Sequence, residues 1–266
     1  MKVFLKTEEE ISLMREANQL VGKALAELYR YIKPGVTTLQ LDRIAEEFIR
    51  DHGAVPTFKG FPNPYGNPFP ASICTSVNEC VVHGIPSERQ VLKEGDIISI
   101  DCGTQLNGFC GDSAYTFCVG EVSDEKLKLL RTTKESLYKA IDVAVAGKRV
   151  GDISHTVQSH CEAQGYGVVR ELTGHGIGKD MHEEPSVPNY GKAKTGVQLC
   201  EGMCIAIEPM ITMGKREIGL MPDKWSIITL DRKPAAHFEH TIVIRHGKSE
   251  ILSSFHDIEK QEGDKY

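Results

Sequence analysis

The feature that most limits the fold of this chain is an internal duplication. The segment VLKEGDIISID, residues 91–101, aligns without a gap with QLCEGMCIAIE, residues 198–208, and each apolar run ends on a carboxylate. The match extends upstream, where a glycine-bounded segment that begins at Gly35 recurs from Gly147. A repeat that preserves this order predicts two similar half-domains that face each other across a shared cleft.

Helices are predicted in two equivalent pairs. Thr7 with Glu10, and Thr37 with Gln40, match the capping box that begins a helix, and apolar residues then recur at helical spacing. The second pair begins at Ser123.

Strands are predicted between the helices, where β-branched and apolar residues are frequent. These runs cover residues 96–101, 113–119, 204–208 and 240–244. Asn107-Gly108 is typical of a two-residue hairpin, which sets Gly103 opposite Asp112 and places Asp101 diagonally beside Asp112 on one face. We expect an α+β fold with helices packed on the outer face of an antiparallel sheet.

The whole chain, residues 1–266, is expected to form one domain built from two repeats, at about 8–122 and 123–252. Hydrophobic residues make up 40% of the chain, which is sufficient for a core. We expect disorder only in the polar tail, residues 257–266. The segment FKGFPNPYGNPFP, residues 58–70, is too rich in Pro and Gly for a regular element and predicts an ordered loop over the mouth of the cleft.

Bulk properties indicate a cytoplasmic protein. The charged start MKVFLKTEEE lacks a signal-peptide core, and no apolar run approaches the roughly 18 residues of a membrane helix, so no membrane partner is expected. The eight cysteines include no C-x-x-C pair and are interpreted mostly as reduced core residues. A net charge of -6 gives no basic footprint for DNA.

Five candidate metal ligands occupy matched places in the repeats. They are Asp101, Asp112, His175, Glu208 and Glu239. One Asp at a strand end is more often a turn or cap residue, but that interpretation does not explain acids in repeat order.

Four carboxylates in one cleft cost several kcal/mol per buried charge unless cations are present. Two divalent ions held roughly 3.5–4 Å apart supply that charge. One imidazole among oxygens suits Mn, Fe, Co or Zn, and the sequence does not choose among them.

Six segments in order resemble one known family over about residues 11–252. They are SVNECVVHGIP, DIISIDCG, GFCGDSAYTF, TGHGIGKDMHEEP, IAIEPM and FEHTIV. The chain is similar to type I methionine aminopeptidases, which have the creatinase-like pita-bread fold. This resemblance implies an enzyme that removes the first methionine from nascent proteins with a small second residue. The sequence does not give the oligomeric state, and we expect a monomer by default. It also implies peptide substrates. A transient contact with the ribosome stays open, because the net charge neither reveals nor excludes a weak partner of a local Lys/Arg patch.

The resemblance also implies roles for the candidate ligands. Asp101 would bind one metal ion, His175 and Glu208 would bind the other, and Asp112 and Glu239 would bridge both. Glu208 would in addition act as a proton shuttle between water and the leaving amide nitrogen.

Substrate contacts are implied in the same way. His182 would hydrogen bond to the scissile amide and the developing oxyanion, and His83 would line the cleft near the substrate nitrogen. The methionine pocket would be walled by Phe69, Cys74, Met181 and Trp225. Met181 stands where the family usually has an aromatic residue, which would make the pocket softer. Trp225 is predicted in a strand after MPDK.

Two histidines near Glu239 stay open. His237 and His240 are interpreted as supports behind the ligands or as core residues, and the sequence does not decide between these roles.

Two other functions compete. A prolidase or X-Pro aminopeptidase would use the same five ligands, but those relatives carry a large amino-terminal domain, whereas the repeat here begins close to Met1. A non-catalytic binding relative would have lost ligands, and this chain keeps all five candidates with both cleft histidines.

Overall fold

The structure is a computed structural model that describes residues 3–263 and residue 266. Its helices are α1 (Glu8–Tyr29), α2 (Thr38–Asp51), α3 (Asp124–Val143), α4 (Val150–Ala163) and α5 (His256–Glu262). The capping boxes at Thr7 and Thr37 are both formed, and Ser123 accepts a hydrogen bond from the third residue of α3, Lys126. The predicted helices are thereby confirmed. Within the described residues, none of the helices has the length and apolar character of a membrane span.

The strands form one large sheet and two small ones. They are β1 (Val55–Pro56), β2 (Ile73–Val77), β3 (Cys80–Val82), β4 (Ile97–Leu106), β5 (Phe109–Cys118), β6 (Gly167–Val168), β7 (Thr173–Gly176), β8 (Glu183–Pro188), β9 (Cys204–Ile207), β10 (Met210–Thr212), β11 (Ile218–Leu220), β12 (Ile227–Thr229), β13 (Ala235–His237), β14 (Glu239–Val243) and β15 (Glu250–Ile251). The large antiparallel sheet has the order β1-β4-β5-β14-β9-β7-β8, with β2 also on β4 and β15 on β14. The small sheets have the orders β13-β10-β6 and β11-β12-β3.

The hairpin between β4 and β5 has the predicted register. Asn107 and Gly108 have φ of 52° and 81°, the positive values that a two-residue hairpin turn of this kind requires. Gly103 lies opposite Asp112, and Asp101 lies opposite Ala114. Both acids therefore point to the same face of the sheet, because side chains alternate along a strand.

The other face of the large sheet carries the helices. Ile100 of β4 and Tyr115 of β5 are fully buried in the main core together with Leu25 of α1 and Leu137 of α3. Complete burial of a large apolar side chain contributes about 1.5–3 kcal/mol. The helix layer therefore leaves the opposite face, with its acids, free to form a cleft.

Helix α1 packs tightly against β5 at Gly111. A Cβ atom on Gly111 would lie 2.6 Å from the carbonyl carbon of Ala17 and 2.7 Å from the backbone nitrogen of Asn18. These contacts are with helix backbone, which cannot rotate away as a flexible side chain can.

We expect Gly111→Ala to lower the free energy of unfolding by about 1–3 kcal/mol, the usual cost of overpacking a tight contact. The melting temperature of a chain of this size falls about 2–4 °C per kcal/mol, so thermal unfolding measures the effect. Gly219→Ala is the matched control, because its added Cβ would meet only the end of the exposed Leu230 side chain. Equal melting temperatures for the two variants would contradict the tight α1–β5 contact.

Equivalent backbone contacts recur in the two halves of the chain. The Gly35 N–H donates to the Leu92 carbonyl at 2.8 Å, and the Gly147 N–H donates to the Leu199 carbonyl at 2.9 Å. Both glycines have φ of +92°. We propose on this basis that the chain is one domain built from the two repeats defined above.

The polar tail differs from expectation. Most of it is α5, in which Ile258 is buried, and the Tyr266 hydroxyl donates to the Thr116 carbonyl at 2.5 Å. The prediction of disorder is therefore wrong for the helical part, because two apolar anchors among polar residues are enough to hold this segment on the core. Residues 264–265 of the predicted tail lie outside the described residues.

Candidate metal centre

The candidate ligands come from neighbouring strands of the large sheet. Asp101 of β4 lies opposite Ala114 of β5, which in turn lies opposite Glu239 of β14. His175 of β7 lies opposite Ala206 of β9. Adjacent strands lie about 4.8 Å apart, so small alanines between longer side chains leave room for an ion.

Side-chain distances bring the candidates into one cluster. His175 Nε2 lies 3.5 Å from Asp112 Oδ2 and 3.7 Å from Glu208 Oε1. Ligand atoms of Asp112, His175 and Glu239 all lie within 4.8 Å of one another. Asp101 joins through Asp112, whose carboxyl group interacts directly with that of Asp101, and all five side chains line one cavity. The structure thus places all five candidates together.

The orientation of His175 favours a cation. Its Nδ1 lies 2.9 Å from the Gly176 carbonyl oxygen, and because a carbonyl can only accept, Nδ1 carries the proton. Nε2 then presents a lone pair to the oxygens of Asp112 and Glu208, which are acceptors as well when these carboxyl groups are ionised. Burial also lowers the pKa of His175, so the ring is the neutral form that binds metals.

The carboxyl groups are buried close together, which disfavours their ionised forms. Burial raises the pKa of Asp112 to about 8. Burial and repulsion among the acids raise the pKa values of Asp101, Glu208 and Glu239 well above the ordinary carboxyl value. Within the described residues, Asp101 Oδ1, Asp112 Oδ1 and Glu239 Oε1 are buried without a hydrogen-bond partner. Since buried polar atoms are normally satisfied, this donor set fits divalent cations.

Three polar residues hold the backbone of the ligand strands. Thr241 Oγ1 donates to the Asp112 carbonyl at 2.9 Å, and Ser113 Oγ donates to the Glu239 carbonyl at 2.6 Å. The side-chain oxygen of Asn18 in α1 accepts from the Asp112 N–H at 3.1 Å. The sequence analysis did not single out these residues. The one available signal was an asparagine, Asn18, that stands among the apolar residues of α1 at helical spacing from Met14.

A cavity of about 140 Å³ opens beside the cluster. Its walls away from the ligands are Phe58, Phe61, Phe69, Cys74, His83, His182 and Trp225. The rings of Phe69 and Trp225 meet edge to face at 5.2 Å, and Trp225 Nε1 donates to the Asn67 carbonyl at 2.8 Å. Three of the four expected pocket residues therefore lie at an apolar cavity next to the acids.

Met181 is placed elsewhere. It is buried in a neighbouring apolar cluster with Phe109 and Ile177, and it is absent from the cavity lining among the described residues. Phe58 and Phe61 pack against that cluster and line the cavity. They belong to the predicted loop over the cleft, which is confirmed, but sequence analysis did not assign them to the pocket.

Trp225 does not lie in a strand, so that prediction is wrong. The carboxylate of Asp223 accepts hydrogen bonds from the backbone N–H groups of Trp225 and Ser226, at 2.9 and 2.8 Å. An aspartate that binds backbone groups two and three residues onward forms a turn, and β12 begins only after it.

The two cleft histidines have different ring neighbours. The His182 ring lies 4.4 Å from that of His175 and 5.2 Å from that of Phe61, measured between centroids. His83 has a positive φ of 58° and lies 6.3 Å from Trp225. Burial, and then the nearby His182, lower the pKa of His83 to about 4, so His83 is neutral near pH 7.

The two histidines that the sequence left open lie in different sheets, His237 in β13 and His240 in β14. His237 Nε2 lies 3.8 Å from Glu208 Oε2. His240 instead stacks on Phe255 at 3.8 Å, and its Nδ1 lies 2.6 Å from Ser253 Oγ. His237 is thus next to the ligands, and His240 belongs to the helix-side core.

Known proteins match the chain over both halves. The profile of metallopeptidase family M24 matches residues 12–246, a range that includes all five candidate ligands. The chain is 51% identical to a methionine aminopeptidase of Clostridium acetobutylicum, over 94% of this chain and 98% of that protein. It is 49% identical to methionine aminopeptidase 1 of Bacillus subtilis, over 94% of this chain and 99% of that protein. The crystal structure of methionine aminopeptidase from Thermotoga maritima superimposes with a TM-score of 0.92 at 41% identity, covering 95% of this chain and 100% of that one.

Proposed function

Because this chain belongs to metallopeptidase family M24, we propose that it removes the amino-terminal methionine from peptides and nascent proteins with a small second residue. Its α+β architecture is the pita-bread fold of that family. The single observation that carries the proposal is a buried cluster of four acids and one histidine beside an apolar cavity. Release of free methionine from Met-Ala-Ser tests it, and an inactive pure protein supplied with Mn, Fe, Co or Zn would contradict it.

We propose that Asp101, Asp112, His175, Glu208 and Glu239 hold two divalent transition-metal ions. Mn, Fe, Co and Zn all suit one imidazole among carboxylates. When bound, such ions polarise a carbonyl and lower the pKa of water toward about 7.

Glu208 is proposed to move the proton. Its carboxyl lies beside His175 and His237, and its side chain is 13% exposed toward the cleft. A carboxyl at the edge of a buried cluster can take a proton from water and return it to the leaving amide nitrogen, because its own pKa is raised by burial.

The cavity is proposed to take the methionine side chain. Phe58, Phe61, Phe69 and Trp225 present apolar and aromatic surface, and Cys74 lies opposite Asp101 across the β2–β4 pair. An apolar slot that abuts the metal cluster directly leaves room for one residue before the scissile bond. This arrangement supports release of a single amino acid.

His182→Ala should lower kcat by about 10²- to 10³-fold, because His182 is proposed to donate to the oxyanion, where charge develops in the transition state. KM should change much less. Steady-state kinetics on Met-Ala-Ser measure kcat and KM separately. His246→Ala is the control, because His246 is highly exposed and pairs with Glu201. A raised KM at unchanged kcat would show that His182 only binds substrate.

The activity of an X-Pro aminopeptidase or prolidase is not favoured, because relatives that are 51% and 49% identical to this chain are named methionine aminopeptidases. Peptides with proline in second position, assayed beside Met-Ala-Ser, test this alternative. A non-catalytic role is likewise disfavoured by the complete donor set.

We propose a cytoplasmic monomer that meets nascent chains through a transient contact with the ribosome. All eight cysteines, each among the described residues, are free thiols, as suits a reducing compartment. The net charge of -6 supports neither a DNA partner nor attraction to an anionic membrane. Sedimentation with and without ribosomes measures both the oligomeric state and the contact.

A further inference from the structure

A short segment near the start of the chain packs against the residues that follow His182. The amino-terminal strap, residues 3–6, lies against the segment that leads into β9. Leu5 pairs with Met203, and the Lys6 N–H donates to the Gly202 carbonyl at 2.8 Å. The strap is thereby fixed to the large sheet by its backbone.

The Lys6 side chain points inward and meets the residue that follows His182. Lys6 Nζ lies 2.5 Å from Glu183 Oε2, and the two side chains are only 5% and 8% exposed. The other oxygen of Glu183 accepts the Lys179 N–H at 3.1 Å. A buried pair of this kind is costly to break, because the remaining charge is left without compensation.

The turn before His182 closes around this ion pair. A Cβ atom on Gly178 would lie 2.4 Å from Glu183 Oε1 and 2.5 Å from Lys6 Cε. The Gly178 carbonyl in turn accepts the Cys110 N–H at 2.8 Å. The turn is therefore held from the strap on one side and from β5 on the other.

His182 itself has an exposed side chain that contacts the rings of Phe61 and His175. Its place in the cleft consequently depends on where its backbone is held. Val3 also pairs with Glu184, so the strap contacts both residues that follow His182.

We propose that Lys6 is a positioning residue for His182, which it acts on through the buried ion pair with Glu183. This inference rests on the proposed function, in which His182 stabilises the oxyanion. An amino-terminal segment far from the acids in sequence would thus set the geometry of the catalytic step.

Lys6→Met should lower kcat on Met-Ala-Ser by about 10- to 100-fold, since displacement of a catalytic group by about 1 Å can cost that much. KM and the affinity for Mn, measured by calorimetry, should stay within about twofold. Lys179→Met is the matched control, because that lysine lies in the same turn but its side chain is 70% exposed. Wild-type kcat in Lys6→Met, or an equal loss of Mn affinity, would overturn the proposal.

A double-mutant cycle with His182→Ala shows whether Lys6 acts through His182. If it does, adding Lys6→Met to His182→Ala changes kcat by no more than about twofold, whereas independent roles would multiply the two losses. Should Lys6→Met fail to fold, the double variant Lys6→Met with Glu183→Gln removes both buried charges and is compared in the same way.

NMR gives a readout that does not depend on turnover. The resonance of the His182 ring is expected to shift in Lys6→Met, and also in the double variant with Glu183→Gln. An unchanged resonance would overturn the proposal. Inactive wild-type enzyme would instead reject the proposed function.

Discussion

Glu208→Gln is expected to lower kcat for release of methionine by about 10²- to 10⁴-fold, the range that positioned acid–base groups supply. Glutamine has nearly the same shape but cannot carry a proton between water and the leaving nitrogen. Glu208 Oε1 also lies 3.7 Å from His175 Nε2, so the substitution removes one of the negative charges that would balance the metal ions. Free methionine from Met-Ala-Ser, measured at saturating metal, gives the rate.

Glu201→Gln is the matched control for this change. Glu201 lies in the turn before β9 in the same repeat, but its side chain is 52% exposed and pairs only with His246 among the described residues. Its rate should stay within about twofold of wild type, as is usual for exposed substitutions. Full activity in Glu208→Gln would remove the proton shuttle from the mechanism.

Removal of metal is expected to abolish activity and to change the pH dependence of stability. In the metal-free fold, burial raises the pKa of Asp112 to about 8. A raised carboxyl pKa means that the folded state holds its proton more tightly than the unfolded state. Stability of the metal-free protein should therefore fall as pH rises from the ordinary carboxyl pKa of about 4 to about 8.

Bound metal should offset this loss, because it favours the ionised carboxylates. The melting temperature of Mn-loaded protein is therefore expected to exceed that of chelated protein by a margin that grows as pH rises toward about 8. Asp112→Asn should narrow this margin, since it removes a central ligand charge. A margin that does not change with pH would contradict a cluster of buried acids that titrates with metal binding.

The acids of the first repeat were predictable because local chemistry sets their geometry. The turn at Asn107-Gly108 fixes the β4–β5 register, and that register alone places Asp101 and Asp112 on one face. The duplication then located Glu208 by its match to Asp101. A strong turn signal and a repeated pattern can both be read directly from the sequence, and together they place these acids in the candidate site.

The pocket wall was less predictable, because it depends on the course of an irregular loop. Nothing in the periodicity of residues 58–70 shows that Phe58 and Phe61 turn toward the cavity while Met181 packs in a neighbouring cluster. Asn18 was also missed, since it reaches Asp112 across a long separation in sequence. Contacts of this kind arise from packing between elements, which no local pattern specifies.

The most direct test of the metal centre is anomalous diffraction from crystals grown with manganese. We predict two anomalous peaks between Asp101, Asp112, His175, Glu208 and Glu239, with Asp112 and Glu239 in contact with both. Electron density in which these five side chains remain together without any ion, or ions bound only elsewhere on the protein, would contradict the proposed centre and the peptide hydrolysis assigned to it.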